Sequence, residues 1–113
     1  MSLEKLRKFS VPHKIIEAIE RFVKAIRDRY DDAEIYLFGS YAKGTWVDDS
    51  DVDIIVISKH FSTMQLEERI RALRILANSK IPFQILAYTP EEFKKVLRKS
   101  IVLQDAREYW IKL

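Results

Sequence analysis

The apolar positions of this chain change period several times, and each change marks an element. After Pro12, which suits a first helical turn, Ile15, Ile16, Ile19, Phe22, Val23 and Ile26 recur at helical spacing, predicting a helix that ends near Tyr30. Ala33 to Phe38 reads as a short strand and Val52 to Ser58 as a second. The second contains the unbroken run Ile54-Ile55-Val56-Ile57, which needs cover on both faces and therefore predicts a central strand. Ser62 and Gln65 have capping-box spacing for a helix running to about Asn78, with Leu66, Ile70, Leu73 and Ala77 on one stripe. Phe83 to Tyr88 reads as a third strand. Thr89-Pro90-Glu91-Glu92 then supplies a cap, a first-turn proline and an acid three residues after the cap, so another helix starts there. The last dozen residues show no dominant period. The order α-β-β-α-β-α predicts an α/β or α+β domain, a small mixed β-sheet flanked by helices.

Size limits what such a domain can do alone. The 113 residues are expected to form one domain, 1–113, with a single core and no second substrate-binding lobe. A large substrate must then be met by a partner or by a second copy in a homodimer. Hydrophobic residues at 48% and charged residues at 33% fit a globular chain, and no apolar run is long enough to cross a membrane. The start MSLEKLRKFS lacks the apolar core of a signal peptide, and the absence of cysteine excludes disulfides and thiolate metal sites. Cytoplasm is the expected compartment. A net charge of +3 gives no general coat for nucleic acid, and the basic run Lys94 to Lys99 reads as a solvated helix face. Direct nucleic-acid binding is not expected.

Candidate chemistry gathers between the first two strands. Asp48, Asp49, Asp51 and Asp53 place four carboxylates in six residues at the mouth of the most hydrophobic segment, where unpaired charge is costly. A calcium loop starting at Asp49 fails, because Ile54 stands where glycine is needed and His60 where glutamate is needed. A phosphate-binding loop of the Walker type also fails, because Thr45 follows Gly44 in place of the essential lysine. The pleat offers a third reading: residues two apart on a strand point to one side, so Asp51 and Asp53 project together as ligands for a hard divalent cation. Gly39 and Ser40, directly after a strand, form a turn where phosphate can approach the backbone. Magnesium bound by few carboxylates together with phosphate oxygens matches this pairing.

Gly39-Ser40, ten intervening residues, then Asp51-Val52-Asp53 resembles the signature of the nucleotidyltransferase superfamily that includes DNA polymerase beta; Gly44 and Ser50 fit its longer form. The chain is similar to a minimal nucleotidyltransferase over roughly Ile15 to Glu92. The resemblance implies the nucleotidyltransferase fold, with Gly39 and Ser40 binding a nucleoside triphosphate such as ATP. It also implies that Asp51 and Asp53 hold two magnesium ions that serve transfer of a nucleotidyl group to a hydroxyl. It further implies a partner, since many such proteins are encoded beside a small helical HEPN-type toxin, a tyrosine of which can receive AMP from the antitoxin. The alternative is a non-catalytic antitoxin that binds nucleotide and neutralises its partner by contact alone.

One departure bears on catalysis. The family carries a third carboxylate on the next core strand, and here the matching position is Gln84, which can coordinate a metal but cannot take a proton at neutral pH. Its other reading is a hydrogen bond to a buried neighbour. Lys43 is a candidate phosphate neutraliser in the same loop. Trp46 is expected to pack the loop, and Asp48 and Asp49 to shape its turn. His13 and His60 have no partner at metal-ligand spacing and read as surface or capping residues. Tyr109 and Trp110, in the segment Ile101 to Leu113, are expected as core or interface anchors, and that segment as the contact surface for a partner.

Overall fold

The computed structural model describes residues 3–113. The chain forms α1 (Glu4–Lys8), α2 (His13–Arg29), β1 (Glu34–Phe38), α3 (Gly39–Lys43), β2 (Val52–Ile57), α4 (Leu66–Ala77), β3 (Phe83–Tyr88), α5 (Pro90–Lys99), α6 (Ile101–Ala106) and β4 (Ile111–Lys112), with a 3-10 helix at Lys59–Thr63. The sheet has the order β3-β2-β1-β4. β1 pairs antiparallel with β2 and β4, whereas β2 and β3 are parallel. The small mixed sheet and the central position of β2 are as the sequence predicts.

Alternation along β2 divides the core in two. Val52, Ile54 and Val56 face a large cluster with Ile19, Phe22 and Val23 of α2 and Leu73 of α4. Ile55 and Ile57 face the other way, toward Leu103 of α6, with Phe93, Val96 and Leu97 of α5 packed alongside. Both faces are covered, which is why this strand tolerates consecutive β-branched residues.

Element boundaries move where short-range chemistry was ambiguous. Pro12 is the N-cap of α2 and lies just before its first turn. The capping box of α4 is set three residues later than Ser62 and Gln65 imply: Gln65 is the cap and the Glu68 carboxylate accepts from its backbone N–H. Ser62 lies instead in the 3-10 helix. At α5 the predicted box forms, with the Thr89 hydroxyl accepting from Glu92 N at 3.2 Å and Glu92 accepting from Thr89 N at 2.7 Å. The buried Arg69 guanidinium ties that box to α4 through Glu92 at 2.7 Å and the Ala87 carbonyl at 3.2 Å.

In the C-terminal segment the two aromatic residues pack against the core without being fully buried. Trp110 is half-buried, its ring 4.5 Å from that of Tyr36 and 6.0 Å from that of Phe93. Tyr109 is half-buried and packs against the main core. The pairing of β4 with β1 brings both residues, just before β4, against the rest of the fold while leaving each partly exposed. The exposed apolar residues of this segment are Ile101 and Val102.

Candidate active site

The site forms where β1 ends and β2 begins. The register places Phe38 opposite Asp53, so the Gly39-Ser40 turn meets the start of the central strand. Gly39 has a φ of 73°, in the left-handed region, and a Cβ added there would overlap the Asp53 carboxylate. Glycine is thus required twice, for the backbone angle and for the approach of the acid. Gly39 also opens α3, a single short helix that the sequence reading leaves as a turn.

Asp53 alternates with Ile54 and so lies on the face of β2 that α5 and α6 cover, at its open end. Burial raises its carboxyl to about 6, with the negative charge of Asp51 adding to the push. No hydrogen bond offsets either effect. A half-buried carboxylate beside a second one, with no built-in donor, fits a divalent oxygen-ligated cation. Asp51 and Asp53 are the residues that would hold it.

Gln84 stands directly beside Asp53 in the parallel register of β2 and β3. It therefore points to the same face. The residue is exposed, which removes the reading in which it hydrogen-bonds a buried neighbour.

The remaining loop candidates have structural work. Gly44 caps α3 in the left-handed conformation, with φ 85° and its N–H donating to Ser40 O at 2.9 Å, while the Phe9 ring fills the space a side chain would need. The Ser50 hydroxyl accepts from Val47 N at 2.8 Å and closes the turn that carries Asp48 and Asp49. Trp46 packs as expected, its ring near-parallel to Tyr41 at 5.9 Å and its Nε1 donating to Phe9 O at 2.9 Å. Lys43 lies with its Nζ 5.4 Å from the Tyr109 ring centroid.

Tyr109 is the site neighbour that sequence reasoning missed. With Leu37 opposite Ile111, the chain direction of β4 brings Tyr109 back beside Gly39, whose N–H faces the phenol oxygen. Burial and the carboxylate of Asp105 push the phenol up, the Gly39 amide pulls it down, and Asp53 adds a smaller upward push. No local pattern announces this, because β4 is only two residues long.

A second titratable group lies at the opposite end of the sheet, where His60 approaches Asp31 at 3.3 Å and Asp32 at 3.7 Å. Sequence spacing hides it, since the two aspartates precede β1 and the histidine follows β2. Against the push of burial, the Ser58 hydroxyl, the Lys59 amide and the charge of His60 hold Asp32 below its ordinary value. Its oxygens accept from Ser58 Oγ and from Lys59 N, each at 2.7 Å. His13, the other histidine, pairs with Glu17 at 2.8 Å one turn along α2.

Comparison with known proteins identifies the family. The family model for the nucleotidyltransferase domain matches residues 19–109. A protein of Methanocaldococcus jannaschii described as a candidate protein adenylyltransferase is 33% identical over 93 residues, covering 79% of this chain and 89% of its own. The protein adenylyltransferase MntA of Thermococcus cleftensis is 35% identical over 77 residues, or 65% of this chain and 69% of its own. The fold is shared with a crystal structure of a Sulfolobus solfataricus nucleotidyltransferase, with a TM-score of 0.60 at 20% identity over 73% of each chain. It is shared also with a toxin-antitoxin structure solved with AMP-PNP, with a TM-score of 0.52 at 24% identity over 82% of this chain and 69% of that one. Because the family match spans the glycine-serine turn, both aspartates and the strand carrying Gln84, the chain belongs to the nucleotidyltransferase family, in the minimal group that its sequence resembles.

Proposed function

We propose that this nucleotidyltransferase binds a magnesium-nucleoside triphosphate, ATP, at the Gly39 turn and transfers AMP to a hydroxyl on a protein partner. The observation that carries the reading is Asp53: a half-buried carboxylate beside Asp51, held against the glycine turn with no protein donor to stabilise its charge. Magnesium there would neutralise phosphate charge. Gly39 leaves room for a phosphate beside the backbone, and the Ser40 hydroxyl and N–H supply donors. The half-buried setting of Asp53 strengthens charge interactions in the site.

In the transfer, a hydroxyl oxygen bonds to the α-phosphorus, the bond to the pyrophosphate oxygen breaks, and pyrophosphate leaves while the hydroxyl proton passes to a solvent water acting as base. Gln84 cannot be that base. Orientation and charge neutralisation thus carry the rate, consistent with a small scaffold. The acceptor in this reading is a tyrosine of a HEPN-type toxin and the chain is its antitoxin, a reading supported by the protein adenylyltransferase relatives and by the likeness in fold to a toxin-antitoxin structure. A second reading, binding without turnover, rests on Gln84 alone.

The test is incubation with magnesium and α-labelled ATP in complex with the product of the adjacent gene. Label on that partner, absent when Asp51→Asn and Asp53→Asn are combined, is the expected result. Gln84→Asp should raise the rate, since a carboxylate both binds metal and accepts a proton. Nucleotide binding with no label from either the native chain or Gln84→Asp would establish the second reading instead.

A further inference from the structure

The outer face of α5 and α6 combines three properties. Between Phe93 and Gln104 the chain carries four cations, Lys94, Lys95, Arg98 and Lys99, and no acid. All four are exposed, and among the described residues none forms an ion pair. Where α5 gives way to α6, Ile101 is 82% exposed and Val102 69% exposed, and both are among the most exposed large aliphatic residues described. An adjacent pair of aliphatic side chains in water is costly unless something covers it.

The cations also line two concavities. One, of about 550 Å³, is bounded by Lys94, Arg98 and Arg107 over a floor of Leu97 and Gln104. The other, of about 310 Å³, lies between Lys95 and Lys99 over Val96 and Ser100. The joint is held in shape: Ser100 both ends α5 and caps α6, accepting from Leu103 N at 3.2 Å. Gln104 donates to the Leu97 and Arg98 carbonyls at 3.0 and 3.1 Å, satisfying the last turn of α5. Exposed aliphatic side chains following a run of unpaired cations on a fixed backbone combine the apolar and charged elements of a protein interface.

Charge decides what can sit there. A second copy meeting this face with the same face would set cations against cations, so an isologous dimer is disfavoured. A single-stranded nucleic acid needs stacking platforms, and Phe93, the one aromatic residue of α5 and α6, is half-buried against the sheet. An acidic protein surface meets both requirements. The position is also suitable: α6 leads from Ile101 through Asp105 to Tyr109, which lies beside Gly39 and near Asp53.

We propose that the outer face of α5 and α6 docks a protein partner presenting an aliphatic ridge flanked by aspartate and glutamate, and that this partner is the acceptor of the nucleotidyl group. The second half rests on the transferase reading; the first does not. Ile101 and Val102 take the ridge, while Lys95, Arg98 and Lys99 pair with its carboxylates. On this proposal the contact joins α5 to the start of the segment Ile101 to Leu113.

The test uses the full chain co-expressed with the product of the adjacent gene. Affinity is measured for the native chain, for Ile101→Asp with Val102→Asp, and for Lys95→Glu with Lys99→Glu. Each pair should weaken the complex about tenfold or more, and replacing facing partner carboxylates by lysine should rescue the second pair. Melting temperature without ligand and the rise on adding magnesium and ATP should match the native chain, since these side chains are outside the site. Transfer should fall through a raised KM with kcat kept. No complex with the native chain, or native affinity in both variants, would overturn the docking face. Binding of a labelled uridine 20-mer that is lost in the lysine pair alone would assign the face to nucleic acid and overturn it too. A normal complex without any magnesium-ATP effect would leave docking intact and refute the transferase reading.

Discussion

Strand β2 has an acid near each end, and the two are treated in opposite ways. Beyond its C-terminal end, Asp32 receives the Ser58 hydroxyl and the Lys59 amide at 2.7 Å each, with His60 nearby, and is held below its ordinary value. At its N-terminal end, Asp53 has burial and a second carboxylate against it and is raised to about 6. The first acid has its counter-charge and donors built from the chain. The second is left incomplete at a turn that only glycine can form. A stabilising carboxylate is provided with partners, whereas a carboxylate that serves a ligand must wait for them. This is why the Asp31-Asp32-His60 group, although its ligand atoms lie within 4.8 Å of one another, reads as a structural tie between the ends of β1 and β2.

The largest effect that would sharpen this contrast is on transfer. Asp51→Asn should lower nucleotidyl transfer by about 10²-fold or more, in the range seen when one preorganised charge-stabilising group is removed. Asp32→Asn should leave transfer near native. Labelled-product assays on both variants separate the ends, and comparable losses would erase the distinction.

Next in size is the glycine turn. Gly39→Ala should lose about 1–2 kcal/mol from the left-handed backbone alone, plus the cost of moving Asp53 aside. Thermal unfolding measures it, and an unchanged melting temperature would mean that the acid does not press on the turn. Ser58→Ala removes a fully buried donor from Asp32 and should cost about 1–2 kcal/mol without touching transfer. The acid limb of stability gives the sign check. Asp32 has a depressed folded pKa, so its contribution is present above the unfolded value and lost as pH falls through the folded one. Ser58→Ala should therefore show a shallower loss of stability at low pH.

The smallest effect is in the pH dependence of ligand binding. Protons compete with a cation for Asp53, so stabilisation by magnesium and ATP should weaken as pH falls below about 6. A flat profile from pH 8 to 5 would place the cation elsewhere.

Much of the fold around this site is legible in the sequence, for a physical reason. The run from Ile54 to Ile57 had to be central, and Asp53 lies on β2 with Asp51 just before the strand begins, close enough for its charge to act on Asp53. The glycine-serine turn was readable because its neighbours on both sides had strong periods. What stayed hidden depends on pairing across the chain. Tyr109 reaches Gly39 only through a two-residue strand, and His60 reaches Asp32 only after β1 and β2 pair. The box at Gln65 and Glu68 was displaced because Phe61, fully buried, pulls Lys59–Thr63 into a 3-10 helix before α4 can begin. Trp110 reads as a core or interface anchor by type, and its partly buried packing against Tyr36 follows from the same β4 pairing.

The central claim is that Asp53 is kept at a cost to the fold so that it can serve a cation, and Asp53→Asn tests it most directly. Between the unfolded carboxylate value and about 6 the folded state holds the extra proton, so the native chain loses stability as pH rises through that window and bears the full penalty above it. At pH 8 without metal, Asp53→Asn should therefore melt higher than the native chain. Below about pH 4, where both states are protonated, the difference should vanish. Magnesium and ATP at pH 8 should reverse the order, raising the native melting temperature and leaving the variant unmoved. An asparagine variant that melts lower without metal, or gains as much from magnesium and ATP as the native chain does, would contradict the account.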